Sequence, residues 1–468
     1  MSAFAKGILS NLFSKTAVAF IGLMTVIFVS RHLGAEGRGA IGLFMSVVAL
    51  TQLVCDFGNS TAIINLSYKH NHRNLWSSSI IWIAFVCLLS YPVLFFFRHL
   101  PFVFLVPPAA FIYSFINLNH LILMGNQKVH LRNTSLLVMP FLLMLGFIAL
   151  TFFIGPDTKH YVIALFVALF IGALVSYKMV RPFIHKQTAF KFQSNILKQG
   201  FWAQSAQAVQ FFNYRLNFFL LAYYIADTTA SNFAIGIYNN AIILSESVWI
   251  LGHSIAQMQH MKILNTENRE DNFKLNNHLI NLNFLGTFIL MLALILMPGN
   301  FWGYLFSADF QHIRMLFFVT ALGVLSFGIS NIINHALHAA SRFKEILLCN
   351  LLGLIFGTYT AIQFMPRYQV LGAAMSWSIG LFTSMLAYLI VYLYHHQKFY
   401  VKHSLYFKVA TSLVTFMISF MVFQRLNFIN NLSFIQGFIM SLSLALSMSV
   451  LINFLLSKLM YGIKPQNS

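Results

Sequence analysis

The chain has 468 residues, of which 59% are hydrophobic, 16% aromatic and only 8% charged. This balance excludes an ordinary soluble globular protein. The formal net charge is +19, but no basic soluble domain is present to bind nucleic acid, whereas loops beside anionic lipid need many Lys and Arg residues. We therefore predict no nucleic-acid partner.

Apolar segments of bilayer-spanning length follow one another along the chain. About 20 apolar residues cross roughly 30 Å of hydrocarbon, because an α-helix rises about 1.5 Å per residue. The sequence predicts an all-α polytopic membrane protein with about 14 transmembrane helices. The predicted segments, numbered 1 to 14, are 10–31, 39–62, 76–97, 101–124, 134–155, 160–178, 199–224, 232–258, 276–298, 315–338, 345–365, 370–394, 404–423 and 432–456.

The basic residues are distributed unevenly between the two sides of the membrane. If the N-terminus is cytoplasmic, 21 of the 29 Lys and Arg residues fall on the cytoplasmic side and seven on the outer side. One, Arg215, falls inside segment 7. Basic residues favour the cytoplasmic side of membrane proteins, so we expect both termini in the cytoplasm.

The two halves of the sequence resemble each other. Ala40–Phe44 aligns with Ala234–Tyr238, and without a gap Gln52 then falls opposite Glu246. Repeated halves with an even number of spans share one orientation in the membrane. The pattern predicts two parallel six-helix lobes followed by two further helices. The predicted boundaries are 1–185 for the N-terminal lobe, 199–398 for the C-terminal lobe, and 399–468 for helices 13 and 14 with a cytoplasmic tail.

Arg215 is the most informative single residue, because it lies nine residues from the outer end of segment 7. An arginine near the centre of a bilayer costs about 2.5–3.5 kcal/mol on insertion scales. Such a cost is tolerated when the side chain faces a wet cavity or a fixed partner. Binding of an anionic substrate and a structural ion pair both remain open at this point.

Further polar residues form stripes on one face of segments 2, 7 and 8. Asp56 and Glu246 are acids placed well inside the spans. Either could pair with Arg215, bind a coupling proton or cation, or accept hydrogen bonds from sugar hydroxyls. The predicted substrate-binding residues are Arg215, Gln207, Gln210, Tyr214, Asn217, Asn239, Gln52 and Lys15, and the predicted ion-coupling or ion-pair residues are Glu246 and Asp56.

No motif indicates a metal or a bound cofactor. His335 and His338 are three residues apart on segment 10, but no convergent acid or third ligand accompanies them. A Gly-rich loop ending in Gly-Lys-Ser/Thr is also missing from the sequence. We predict no cofactor and no metal, and leave coupling to a proton or sodium gradient open.

Several short motifs resemble one family of membrane proteins. Arg31-His32-Leu33-Gly34, Glu36-Gly37-Arg38-Gly39 and Asp56-Phe57-Gly58 are similar to the opening of the Wzx-type polysaccharide flippases. These proteins belong to the MATE-like multidrug/oligosaccharidyl-lipid/polysaccharide (MOP) exporter superfamily. Family members often carry an acid two residues after the arginine of helix 7, where this chain has Asn217.

The resemblance implies a flippase that moves an undecaprenyl-diphosphate-linked oligosaccharide, such as an O-antigen repeat unit, across the bacterial inner membrane by alternating access. Such a protein is not an enzyme. Its expected partners are the anionic lipid-linked oligosaccharide and membrane lipid, with a polysaccharide polymerase and a chain-length regulator left open. The alternatives are an ion-coupled multidrug antiporter of the same superfamily and a membrane enzyme of polysaccharide assembly, either a polymerase or an acyltransferase.

Overall fold

A computed structural model of the chain describes residues 3–58, 63, 72–97, 100–126, 128–184, 195–264 and 269–396. These residues form twelve α-helices joined by turns and three short 3-10 helices. The α-helices are α1 (Ala3–Cys55), α2 (His72–Phe95), α3 (Val106–Gly125), α4 (Val129–Phe153), α5 (Thr158–Ile184), α6 (Asn195–Tyr224), α7 (Thr228–Ser247), α8 (Trp249–Leu264), α9 (Arg269–Leu296), α10 (Gly299–Leu305), α11 (Arg314–Ala339) and α12 (Phe343–His396).

The prediction of an all-α polytopic membrane protein is confirmed. Eight helices in the described part of the chain are long and apolar enough to cross a membrane. Two of them contain two predicted segments each, because α1 is kinked at Gly34 and α12 at Gln369. Helices α6 and α7 are long enough but too polar to be among the eight. Predicted segments 404–423 and 432–456 lie outside the described residues.

Segment 8 differs from the single helix that its sequence predicts. Helix α7 ends at Ser247 and α8 begins at Trp249. The Ser247 hydroxyl donates to the Leu244 carbonyl at 2.6 Å, and such bonds compete with the helical ladder. The Trp249 indole donates to the Val324 carbonyl of α11 at 3.2 Å. The tertiary contact of Trp249 anchors the chain beside the break, and periodicity alone could not reveal it.

The described helices fall into two compact units. Unit 1 comprises residues up to Phe211 together with Asp227–Gly236, and unit 2 comprises Phe212–Ala226 together with the chain from Ile237 onward. In unit 1, α1 packs against α3 and α4, and α5 packs against the same two helices. In unit 2, α11 is central and packs against α8, α9 and α12. The predicted lobe boundaries remain a prediction.

The kink in α1 depends on a glycine. Gly34 adopts φ 66° and ψ −170°, a region that is essentially restricted to glycine and costs other residues about 1–3 kcal/mol. Gly34→Ala should lower the free energy of unfolding by about that amount. The measurement is the midpoint of thermal unfolding in detergent. Gly22→Ala is the control, because a Cβ at Gly22 meets nothing within 4 Å; equal midpoints for the two variants would contradict the prediction.

Candidate ion-pair site

Arg215 on α6 forms an ion pair with Glu246 on α7, and both residues belong to unit 2. The Arg215 Nη2 atom lies 3.0 Å from Glu246 Oε2, and the two side chains are 27% and 20% exposed. Pairing offsets much of the cost of removing each charge from water. Of the two acids that the sequence offers as partners, the structure places Glu246 in this position.

An aromatic pair lies beside the guanidinium group. The Arg215 Cζ atom is 5.4 Å from the centre of the Phe218 ring, within the range of a cation–π interaction. The Phe218 ring in turn meets the Tyr238 ring edge-on, with centroids 5.1 Å apart. Sequence reasoning missed Phe218, although its position one helical turn after Arg215 places it on the same face of α6.

The ion pair is held by a single contact. Glu246 Oε2 accepts from Arg215 at 3.0 Å, whereas Glu246 Oε1 is buried without a hydrogen-bond partner among the described residues. An arginine can present two parallel N–H donors to one carboxylate. The observed pair therefore leaves hydrogen-bonding capacity unused on the carboxylate.

Aromatic side chains surround the break between α7 and α8. This break follows Glu246 almost directly in the sequence. The Trp249 ring centre lies 3.9 Å from that of Phe327 and 5.6 Å from that of Trp377. Tyr214, the neighbour of Arg215 on α6, lies 5.8 Å from Trp249 between ring centres. These contacts hold α6 and the start of α8 in one aromatic cluster.

Asn217 is buried in a hydrogen-bonded network of unit 2. Its Nδ2 atom donates to the Tyr238 hydroxyl at 3.2 Å and to the Ala373 carbonyl at 3.0 Å. Its Oδ1 atom accepts from the Ser376 hydroxyl at 2.9 Å. The amide thus links α6 to α7 and α12, and its donors already have protein partners. This network gives Asn217 a structural role in the described conformation.

We expect Asn217→Asp to destabilise the protein. A carboxylate cannot donate, so it would lose the hydrogen bond to the Ala373 carbonyl and lie against that oxygen, whereas the Tyr238 hydroxyl can turn to donate to it. Leaving buried polar groups unsatisfied costs about 1–3 kcal/mol each. The measurement is the thermal unfolding midpoint in detergent, with Asn300→Asp at an exposed position as the control. A midpoint for Asn217→Asp equal to that of the control would show that the network is not needed.

The other predicted site residues have varied surroundings. Asn239 is buried in unit 2. In unit 1, Gln52 and Gln210 are half-buried and Gln207 is exposed. Lys15 lies within α1, and its side chain is outside those that the structure describes. Whether these residues bind substrate remains a prediction.

Asp56 lies in a different environment from Glu246. It begins a 3-10 turn, Asp56–Gly58, directly after α1. The Asn117 Nδ2 atom on α3 donates to Asp56 Oδ1 at 3.4 Å. Two residues further along α3, Asn119 accepts from the Trp76 indole and donates to the Ser176 hydroxyl, each at 3.0 Å. Asp56 thus accepts a hydrogen bond from a side-chain amide of α3, within unit 1.

More than half of the chain matches a known protein family. Residues 4–255 match the family model described as "Polysaccharide biosynthesis protein". The chain belongs to the polysaccharide biosynthesis protein family. This match covers the elements that carry the Arg215–Glu246 pair, and no curated protein sequence matches the chain.

Solved structures show which fold this polysaccharide biosynthesis protein has. It is similar to "Lipid II flippase MurJ, inward closed conformation", with a TM-score of 0.69 at 15% identity over 96% of this chain and 98% of that chain. It is also similar to an outward-facing multidrug resistance MATE family transporter of the MOP superfamily. There the TM-score is 0.60 at 16% identity, over 83% of this chain and 94% of that chain. The polysaccharide biosynthesis protein therefore has a MurJ- and MATE-like fold.

The prediction that this polysaccharide biosynthesis protein is not an enzyme is confirmed by its family and by the fold that it shares with transporters. Within the described residues, no group of three or more His, Cys, Asp and Glu side chains could hold a metal ion. The candidate site in unit 2 consists instead of the Arg215–Glu246 ion pair, its aromatic neighbours and the buried Asn217 amide.

Proposed function

We propose that this membrane transporter of polysaccharide biosynthesis is a flippase of the Wzx type, whose cargo is an undecaprenyl-diphosphate-linked oligosaccharide such as an O-antigen repeat unit. The observation that carries the proposal is Arg215, a partly exposed arginine beside a single carboxylate within an apolar chain. Arginine suits phosphate groups, because its planar donors match phosphate oxygens in pairs. The family and the likeness to a lipid II flippase support the same class of cargo.

The proposal includes an arrangement in the membrane. Fourteen helices form two parallel six-helix lobes, 1–185 and 199–398, followed by 399–468, with both termini in the cytoplasm of a bacterium. The lipid tail stays in the bilayer while the diphosphate and sugars cross between the lobes by alternating access. The predicted polar residues bind the sugars. Coupling of transport to an ion gradient, with Glu246 or Asp56 binding the ion, is left open. A polymerase and a chain-length regulator are the proposed protein partners.

A multidrug antiporter of the same superfamily is the second candidate. Its support is the likeness to MATE structures, including an inward-facing one with a TM-score of 0.58. An antiporter of cationic drugs would be expected to bind its cargo through free carboxylates, whereas Glu246 is paired with an arginine. The pairing of Glu246 with Arg215 therefore favours an anionic cargo over a cationic drug.

Deleting the gene tests the proposal in cells. The lipid-linked oligosaccharide should then accumulate in the cytoplasmic leaflet, where reagents added from outside cannot modify it, and plasmid-borne wild type should restore its export. Drug susceptibility is measured in parallel. Normal export in the deletion strain, together with drug sensitivity that the plasmid reverses, would favour the antiporter instead.

A further inference from the structure

We infer that Glu246 is a built-in counter-anion that the diphosphate of the cargo displaces from Arg215, and that sets how tightly the cargo is held and how fast it leaves. This inference rests on the proposed function. It concerns the exchange of one anion for another on the same guanidinium group.

The geometry of the pair permits such an exchange. Arg215 contacts the carboxylate through one atom only, Nη2, and its side chain is 27% exposed. The Phe218 ring lies near the guanidinium and is itself buried, so it remains as a fixed aromatic neighbour when the carboxylate leaves. An incoming anion therefore meets a preformed cationic group held by one ionic contact.

The charges determine which anion is favoured. A diphosphate carries more negative charge than one carboxylate and offers several oxygens to the guanidinium donors. The existing pair leaves Glu246 Oε1 without a partner among the described residues, so the carboxylate uses only part of its own bonding capacity. A diphosphate that engages two donors of Arg215 gains a second charge-assisted bond that Glu246 does not make.

The position of Glu246 near the end of a helix allows its side chain to move away from Arg215. It is the penultimate residue of α7, which ends at Ser247, and α8 begins at Trp249. The backbone after Glu246 is therefore not fixed by a continuous helical ladder. Trp249 anchors the far side of the break to α11, so a movement of Glu246 need not displace α8.

Competition from Glu246 should lower the affinity for the cargo and speed its release. Because Glu246 competes for Arg215, it weakens cargo binding, and because it can return, it helps to expel the diphosphate at the end of each cycle. Removing its charge should tighten binding and slow export together. A residue with a merely structural role would weaken both when substituted.

The test measures binding of farnesyl diphosphate to the purified full-length protein in detergent by calorimetry, alongside export in complemented cells. Glu246→Gln should bind about tenfold more tightly than wild type, since each factor of ten corresponds to about 1.4 kcal/mol of competing ion-pair energy. It should also export several-fold more slowly. Glu246→Asp, which keeps the charge, should not bind more tightly.

Glu345→Gln is the matched control, because Glu345 also pairs with an arginine of unit 2, Arg342, at 3.3 Å. It should leave farnesyl diphosphate binding unchanged. If wild type binds through Arg215 but Glu246→Gln binds equally or less tightly with a wild-type melting midpoint, the counter-anion role is wrong and the proposed function stands. If neither wild type nor Glu246→Gln binds farnesyl diphosphate, both proposals fail.

Discussion

Arg215→Ala is expected to reduce export of the lipid-linked oligosaccharide at least about tenfold, because a hydrogen bond to a charged group contributes about 1.5–3 kcal/mol and 1.4 kcal/mol is a factor of ten. Arg215→Lys should retain part of the activity, since it keeps the charge but loses the planar donor pair. The measurement is the rate at which labelled oligosaccharide reaches the outer leaflet of complemented deletion cells, normalised to protein level.

The single variant leaves Glu246 as a partly buried charge without its partner, and the cost is at most about 3–5 kcal/mol, the cost of breaking a fully buried pair. Arg215→Ala combined with Glu246→Gln removes both charges and should recover protein level but not export. Arg181→Ala removes an exposed arginine of α5 and is the control. Normal export by the double variant would show that Arg215 is needed only to neutralise Glu246.

Gly39→Ala is expected to have the second largest effect, because Gly39 on α1 lies against the backbone of α7 within unit 1. A Cβ at Gly39 would lie 2.6 Å from the Asn232 carbonyl carbon and 2.8 Å from the Gly236 nitrogen, and would collide with the Asn232 carbonyl oxygen. Backbone atoms cannot rotate away, so the two helices must separate. Overpacking of this kind costs about 1–3 kcal/mol. The thermal unfolding midpoint in detergent should fall, and export should fall with it.

Gly236→Ala provides an independent check of the same contact. A Cβ there would lie 2.7 Å from the Ala35 carbonyl carbon, so it should reproduce the loss seen with Gly39→Ala. Gly22→Ala, on the same helix in open space, should behave as wild type. A Gly39→Ala protein that melts and exports like Gly22→Ala would mean that α1 and α7 do not approach closely here.

Hydrophobic length predicted the helices well, because the need to span a bilayer is imposed on each segment separately. Each of the first twelve predicted segments is mostly helical where the structure describes it. The break between Ser247 and Trp249 could not be predicted, because it goes with contacts from Trp249 to α11. Segment periodicity contains no information about such tertiary partners.

The site was predictable in part. The cost of burying an arginine singled out Arg215, but charge alone could not decide between Asp56 and Glu246 as its partner; the structure pairs it with Glu246. The sequence did not indicate that Asn217 lies in a buried hydrogen-bonded network, because its partners Ala373 and Ser376 are distant in sequence.

The internal repeat likewise did not predict which glycines come into contact. The alignment sets Gly42 opposite Gly236. In the structure, Gly39 is the residue that lies against Gly236. Equivalent positions in a repeat need not touch, since helix packing depends on where two particular helices cross.

The most direct test of the flippase proposal uses the purified protein alone in liposomes that contain undecaprenyl-diphosphate-linked oligosaccharide. A membrane-impermeant reagent modifies only the oligosaccharide in the outer leaflet, so the rate of further modification reports movement across the bilayer. Wild-type protein should expose the inner-leaflet pool, and Arg215→Ala with Glu246→Gln should not. An inner-leaflet pool that stays protected with correctly folded wild type, or that is exposed equally by the double variant, would contradict the account.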